Sequence, residues 1–216
     1  MIAIAFALEF ESAAFRARLR APQVETWLLG CTGERTAAAL EKRLDSSSVT
    51  PSILISAGFA GALQPAGKIG DIVVASNFTT PSLLEKLAPH PGWRTGTLHT
   101  SPCIVESHAA KQALGLETGA LIADMETSFL HAICEKRGIP FVSVRSVSDT
   151  MEDDMPVPAD ILLDPITSRP NPMALFRHFL ARPDTVPGFG RLLANARTAQ
   201  RNLATGLLEM LPILRS

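Results

Sequence analysis

The sequence predicts a single α/β domain whose central sheet is covered by helices on both faces. Three observations carry this. Short apolar runs recur at residues 2–8, 26–29, 53–57, 72–75, 121–123 and 141–147, and continuous runs of this length suit strands buried on both faces. Amphipathic segments separate several of them, an alternation that gives a sheet between two helix layers. The 216 residues are long for one small domain and short for two, so residues 1–216 are read as one unit.

Taken in order, the first run, "MIAIAFALEFE", ends on Glu9 and Glu11. Residues 36–44 carry Ala37, Leu40 and Leu44 at helical spacing. The run at 53–57 enters "SAGFAGAL", residues 56–63, read as a tight turn or a place where backbone approaches a ligand. It matches neither a dinucleotide fingerprint nor a P-loop. In "LIADMETSFLHAICEKRG" an apolar run is cut off by Asp124, Met125 and Glu126. A helix is predicted over 125–137, with Met125, Phe129, Ile133 and Cys134 on one stripe and a stop at Gly138-Ile139-Pro140. The next strand, "IPFVSVRSVSD", ends on Asp149. Prolines then break residues 150–190 repeatedly, and the segment reads as loop with one short helix near 173–181. A loop this long in a compact domain is functional or mobile, and its place after Asp149 makes it a lid candidate. A closing helix over 191–213 carries Leu192, Ala196, Ala199, Leu203, Leu207 and Met210 on one stripe.

Bulk properties exclude several classes. The net charge is −1 with no basic block, so nucleic acid is not an expected partner. Cys31, Cys103 and Cys134 have no metal-ligand or redox spacing and read as buried or inert thiols of a reducing compartment. No apolar run approaches the ~20 residues that span a bilayer. The apolar start is too short for a signal-peptide core and lacks a basic lead. A cytoplasmic protein is expected. Tyrosine is absent, so no phenol serves as acid, base or stacking platform.

The chemistry lies in the acids. Asp124 is a favoured N-cap residue, and Glu126 suits a helix N-terminus. Glu11 and Asp149, at the ends of neighbouring strands, would point into one crevice. Breaking a bond from a sugar carbon to a base nitrogen passes through an oxocarbenium-like cation. One carboxylate activates water there, and a protonated one helps the base leave. The plainer alternative for each acid is a cap or an ion pair, such as Asp149 with Arg145. The turn "GCTGER", residues 30–35, could hold an anion beside Arg35 or be a simple connection. His99 reads as a satisfied polar group on a strand.

The stretches "ALEFES", "SAGFAGAL", "GKIGDIVVAS" and "ADMETSFLHAICEKRGIPFVSVRSVSDT" resemble, in order, the purine nucleoside phosphorylase/nucleosidase superfamily, and within it the methylthioadenosine/S-adenosylhomocysteine nucleosidases. "ALFRHFLARPDTVPGFGRLLANARTA" looks more like the hopanoid-associated branch, which acts on adenosylhopane. The resemblance implies a three-layer α/β/α phosphorylase/hydrolase-like fold with a mixed central sheet. It implies that Glu11 activates the attacking water, Glu126 binds the ribose hydroxyls, and Met125 packs beside the sugar. Asp149 would protonate the purine at N7 with Ser148 beside it, and Ala57 to Gly61, including Gly58 and Phe59, would form a glycine-rich loop near the sugar. Two positions depart from the pattern. Phe59 stands where the nucleosidases have a serine, and Ile104 where they have a base-stacking phenylalanine. Trp93 is a candidate for covering the base, though an isolated Trp is more often core or interface.

The expected function is cleavage of the N-glycosidic bond of a purine, adenosine-like nucleoside. Hydrolysis is favoured over phosphorolysis because Glu11 is present and no phosphate clamp beyond Arg35 is evident. Phosphorolysis to base and ribose 1-phosphate, including of an adenosylhopane-type substrate, is the alternative. A non-catalytic nucleoside-binding protein is the rival from another class. No metal or organic cofactor is implied, with phosphate a co-substrate only if the reaction is phosphorolytic. The partners expected are a small nucleoside and further copies of the chain in a homo-oligomer, without stable membrane insertion.

Overall fold

The computed structural model describes residues 1–31, 33–162 and 172–215. In chain order the elements are β1 (Ile2–Phe6), α1 (Glu9–Arg18), β2 (Val24–Leu28), α2 (Gly33–Ser46), β3 (Ile53–Ala62), β4 (Ile72–Ala75), α3 (Pro81–Leu87), β5 (Trp93–Gly96), β6 (Leu98–Thr100), α4 (His108–Thr118), β7 (Ile122–Asp124), α5 (Thr127–Arg137), β8 (Phe141–Asp149), α6 (Ala159–Leu162), α7 (Pro172–Ala181), a 3-10 turn (Pro183–Thr185) and α8 (Val186–Arg215).

One mixed eight-stranded sheet forms the centre, in the order β2-β1-β3-β8-β4-β5, with β7 on the far end of β3 and β6 beside β7. β2, β1, β3 and β8 run parallel, while β4 is antiparallel to β8. Alternation along β1 shows how the layers are made. Ile2, Ile4 and Phe6 enter one core with Phe15, Leu203, Leu207 and Met210 of α1 and α8. Ala3 and Ala5 enter the other with Leu40, Leu130 and Cys134 of α2 and α5. Successive strand side chains point to opposite faces, so one apolar strand serves both helix layers. The three-layer α/β/α architecture is as expected. Burial pushes the Cys134 thiol up to about 12, which makes it an inert packing group. Cys103, by contrast, is exposed, against the expectation for all three thiols.

Several elements differ from the sequence reading in ways that matter for the site. "SAGFAGAL" is no turn. It continues β3, where Ser56 to Ala60 pair with Ser143 to Val147 and a register shift then sets Gly61 opposite Asp149. The first strand stops at Phe6, and Glu9 and Glu11 lie in the first turn of α1. The helix forms because the Glu11 carboxylate accepts from the Leu8 backbone N–H at 2.9 Å, which satisfies an otherwise orphaned donor. α5 starts at Thr127, and its buried stripe runs through Leu130, Ile133 and Cys134, leaving Phe129 at the surface. The Phe129 ring instead lies over Gly33, where an added Cβ would sit 2.2 Å from a ring carbon. α8 begins at Val186, earlier than expected. Part of the expected lid, residues 163–171, lies outside the described residues.

Phe15 is fully buried and packs against Phe6 with ring centroids 6.1 Å apart. Phe15→Ala should therefore destabilise the fold by ~3–5 kcal/mol, read as a lowered denaturation midpoint at unchanged m-value.

Candidate functional site

Glu11 is only 5 % exposed. One carboxylate oxygen accepts from Leu8 N–H, and the other from Phe59 N–H on β3, each at 2.9 Å. Burial pushes its carboxyl above the ordinary glutamate range, against the pull of the two N–H donors and the Arg145 guanidinium. β3 must pass very close to this group. A Cβ at Gly58 would stand 2.8 Å from Glu11 Oε1. Glycine is required there for space, since its φ is not in the left-handed region. The cavity in front of Glu11 is lined by Ala57, Gly58, Phe59, Ser56, Arg145 and Glu126, with Thr36 and Leu130 from the α2 and α5 layer.

Arg145 is the buried cation under this cavity. It is 3 % exposed and binds the Asp124 carboxylate through Nη2 at 2.6 Å and Nε at 3.0 Å. Further bonds reach the Ser56 carbonyl, the Ser56 hydroxyl and the Thr127 hydroxyl. Asp124 also accepts from the Thr127 N–H at the start of α5. The N-cap position of α5 is Glu126 and not Asp124; Asp124, at the end of β7, reaches the first helical N–H with its side chain, and its main partner is Arg145. The alternative pairing of Arg145 with Asp149 does not form. The network fixes the turn between β7 and α5, and Glu126 on that turn projects half-buried into the cavity.

Asp149 ends β8 three residues of β3 away from the Glu11 contact, about 10 Å by strand rise. Again a glycine makes room: a Cβ at Gly61 would stand 2.8 Å from Asp149 Oδ2. Oδ1 accepts from the Ser148 hydroxyl at 2.8 Å. Oδ2 lies 2.6 Å from Nζ of Lys111, a side chain 1 % exposed on α4. Asp149 faces a second, wider cleft, walled by Asp153, Asp154 and Pro156 of the following loop and by Pro187 and Arg191 of α8.

Of the predicted site residues, Glu11, Glu126, Ala57, Gly58 and Phe59 share the first cavity, and Asp149 opens on the second. Ser148 touches Asp149 without lining either one, and half-buried Met125 adjoins Glu126 in the chain. Ile104 lies half-buried in the loop before α4 and lines neither cavity. His99 on β6 lines neither, and Trp93 stacks on His90 at 3.8 Å against the sheet edge. Arg35 is exposed and is not among the lining residues. Sequence reasoning missed Lys111. A lysine in a helix reads as a solvated residue, and nothing local marks it as buried. Arg145 carries a visible signal, a lone charge inside an apolar strand, but its partner is Asp124 and not the Asp149 of the plainer alternative. Among the described residues no cluster of His, Cys, Asp and Glu could hold a metal, and no helix is long and apolar enough to cross a membrane.

A mixed sheet thus lies between two helix layers, with separate carboxylates along one glycine-bearing strand. Residues 82–180 match the family model described as the phosphorylase superfamily, so the resemblance read from the sequence stands at that level. The fold is similar over nearly its whole length to a futalosine hydrolase of Helicobacter pylori strain 26695, at TM-score 0.70 and 16% identity, covering 98% of this chain and 97% of that one. It is similar to the 5′-methylthioadenosine/S-adenosylhomocysteine nucleosidase of Helicobacter pylori, at TM-score 0.67 and 16% identity, covering 98% and 97%. A 5′-methylthioadenosine nucleosidase of Arabidopsis thaliana aligns at TM-score 0.66 and 14% identity, covering 98% and 94%. The hopanoid-associated branch is not among these structures. A search of curated proteins finds no sequence match.

The raised Glu11 pKa has a thermodynamic consequence. The folded protein holds this proton to higher pH than the unfolded chain does, so between about 4.5 and the folded value stability falls as pH rises. The stability of the native protein minus that of Glu11→Gln, measured by denaturant melts across this range, should decline with pH. A flat or rising difference would contradict the burial argument.

Proposed function

We propose that the protein is a nucleosidase that hydrolyses the N-glycosidic bond of a purine, adenosine-like nucleoside. The observation that carries this is the Glu11 arrangement: a buried carboxylate, held by two backbone N–H groups, on the wall of the cavity that Glu126 enters. Burial moves Glu11 toward the pH at which a carboxylate is an effective proton acceptor. Glu11 takes a proton from water as the water attacks C1′. Glu126 accepts from the ribose hydroxyls, since a carboxylate offers only acceptors to paired donors, and its charge favours the oxocarbenium-like state. Asp149, beyond Gly61, supplies a proton to the leaving base. Direct attack by that water, with no covalent intermediate, gives hydrolysis with inversion.

The electrostatics of the cavity favour water over phosphate. Arg145, its buried cation, is engaged by Asp124, Ser56 and Thr127. A phosphate dianion beside the Glu11 carboxylate would meet like charge in a poorly solvated place, which is strongly unfavourable. A related structure with 5′-methylthioadenosine in its active site makes that nucleoside the first substrate to try.

The test is product analysis on methylthioadenosine, S-adenosylhomocysteine, adenosine, inosine and adenosylhopane, each with and without phosphate. Free base and free sugar without phosphate are expected. Sugar 1-phosphate formed only with phosphate would make the enzyme a phosphorylase. Tight binding without turnover of any nucleoside would make it a binding protein. Asp149→Asn should lower kcat on the best substrate by ~10²–10⁴-fold, and because it leaves the buried Lys111 ammonium without its carboxylate it should lower the melting midpoint as well. Near-full activity would remove Asp149 from the acid role. Ribonucleosides should be cleaved much faster than their 2′-deoxy counterparts, and equal rates would contradict the role of Glu126.

A further inference from the structure

Lys111 is the most deeply buried charged side chain that this mechanism leaves unused. It reaches the site because α4 lies against the end of β3: a Cβ at Gly115, one turn further along α4, would stand 2.3 Å from the Leu63 carbonyl oxygen. The ammonium makes three contacts, to Asp149 Oδ2 at 2.6 Å, the Thr150 carbonyl at 2.9 Å and the Asp153 carbonyl at 2.8 Å. An ammonium has three N–H donors, so the set is complete. It would also be complete for the neutral amine. Two N–H groups would still serve the two carbonyls, and the freed lone pair would accept from an Asp149 O–H. A proton can therefore move between Nζ and Oδ2 without loss of a hydrogen bond. No other basic side chain forms an ion pair with Asp149 among the described residues.

We propose that Lys111 is the proton source for Asp149, acting through it on the leaving base; this rests on the nucleosidase reading. The proton passes from Nζ to Oδ2, which leaves a neutral amine and a carboxylic acid. The acid gives its proton to the base nitrogen as the C1′–N bond breaks and its electron pair goes to the base. Water adds OH to C1′ and loses its other proton to Glu11. After product release Lys111 regains a proton from solvent and Glu11 returns one. The contacts to Thr150 and Asp153 also tie the first residues of the loop after Asp149 to α4. This anchoring is reinforced by His108 N–H to Asp154 at 2.7 Å and Met155 N–H to the Glu106 carbonyl at 2.7 Å.

The test separates proton supply from shape. Lys111→Met keeps much of the volume and removes the proton. A purine nucleoside needs its base protonated to leave, whereas 4-nitrophenyl β-D-riboside releases a stable anion. The ratio of kcat on the nucleoside to kcat on the nitrophenyl riboside should fall by ~10–10²-fold in Lys111→Met. Lys111→Arg keeps the charge but has no releasable proton, and the ratio should stay low. A parallel fall on both substrates, or a ratio restored by arginine, would overturn the proposal in favour of a structural or purely electrostatic role. If neither variant folds, the native enzyme decides. In mixtures of light and heavy water, nucleoside cleavage should give a bowed rate plot, from more than one proton in flight, and the nitrophenyl riboside a straight one. Straight plots for both would overturn the proposal. A native enzyme inert toward every nucleoside would remove the nucleosidase reading itself, an outcome distinct from all of these.

Discussion

The ion pair between Arg145 and Asp124 is the constraint on which the rest of the site depends. It is buried on both sides, at 3 % and 1 % side-chain exposure, and it joins three elements: β8 through Arg145, β3 through Ser56, and the β7–α5 turn through Asp124 and Thr127. A buried pair of this kind adds little net stability, but loss of one partner leaves an uncompensated charge, at a cost of about 3–5 kcal/mol. What it provides is position. The turn that carries Glu126 is held against the strand that passes Glu11.

A second constraint is space. β3 runs between two acids, with a glycine facing each. Gly58 lets Glu11 lie against the strand, and Gly61 does the same for Asp149. The two acids occupy unlike surroundings. Glu11 sits buried beside the smaller cavity with only backbone donors on its oxygens. Asp149 opens on a wider cleft and pairs with an ammonium. On the proposed nucleosidase reading, these unlike surroundings set chemically similar side chains to opposite tasks, one to receive a proton and one to deliver it.

Much of this was legible in the sequence. The apolar runs gave β1, β3, β4 and β8 because strands covered on both faces leave continuous apolar stretches, and the acids beside them marked Glu11, Glu126 and Asp149. What could not be read has physical reasons. β5 and β6 are three or four residues long with little apolar content; only Leu98 is fully buried. "SAGFAGAL" looked like a turn because glycine is a turn signal, but here glycine answers a tertiary need for room beside carboxylates. The stripe of α5 was misread because Phe129 finds its partner in Gly33 of another helix. Lys111 was invisible because its burial depends on α4 meeting Leu63, a contact between segments far apart in sequence.

The measurement that tests the central claim most directly is cleavage of methylthioadenosine in ¹⁸O-enriched water, with mass analysis of both products. The account predicts one ¹⁸O at C1 of the sugar, none in the base, and a rate that does not depend on phosphate. An unlabelled sugar, or a sugar that carries phosphate at C1, would contradict a water activated by Glu11.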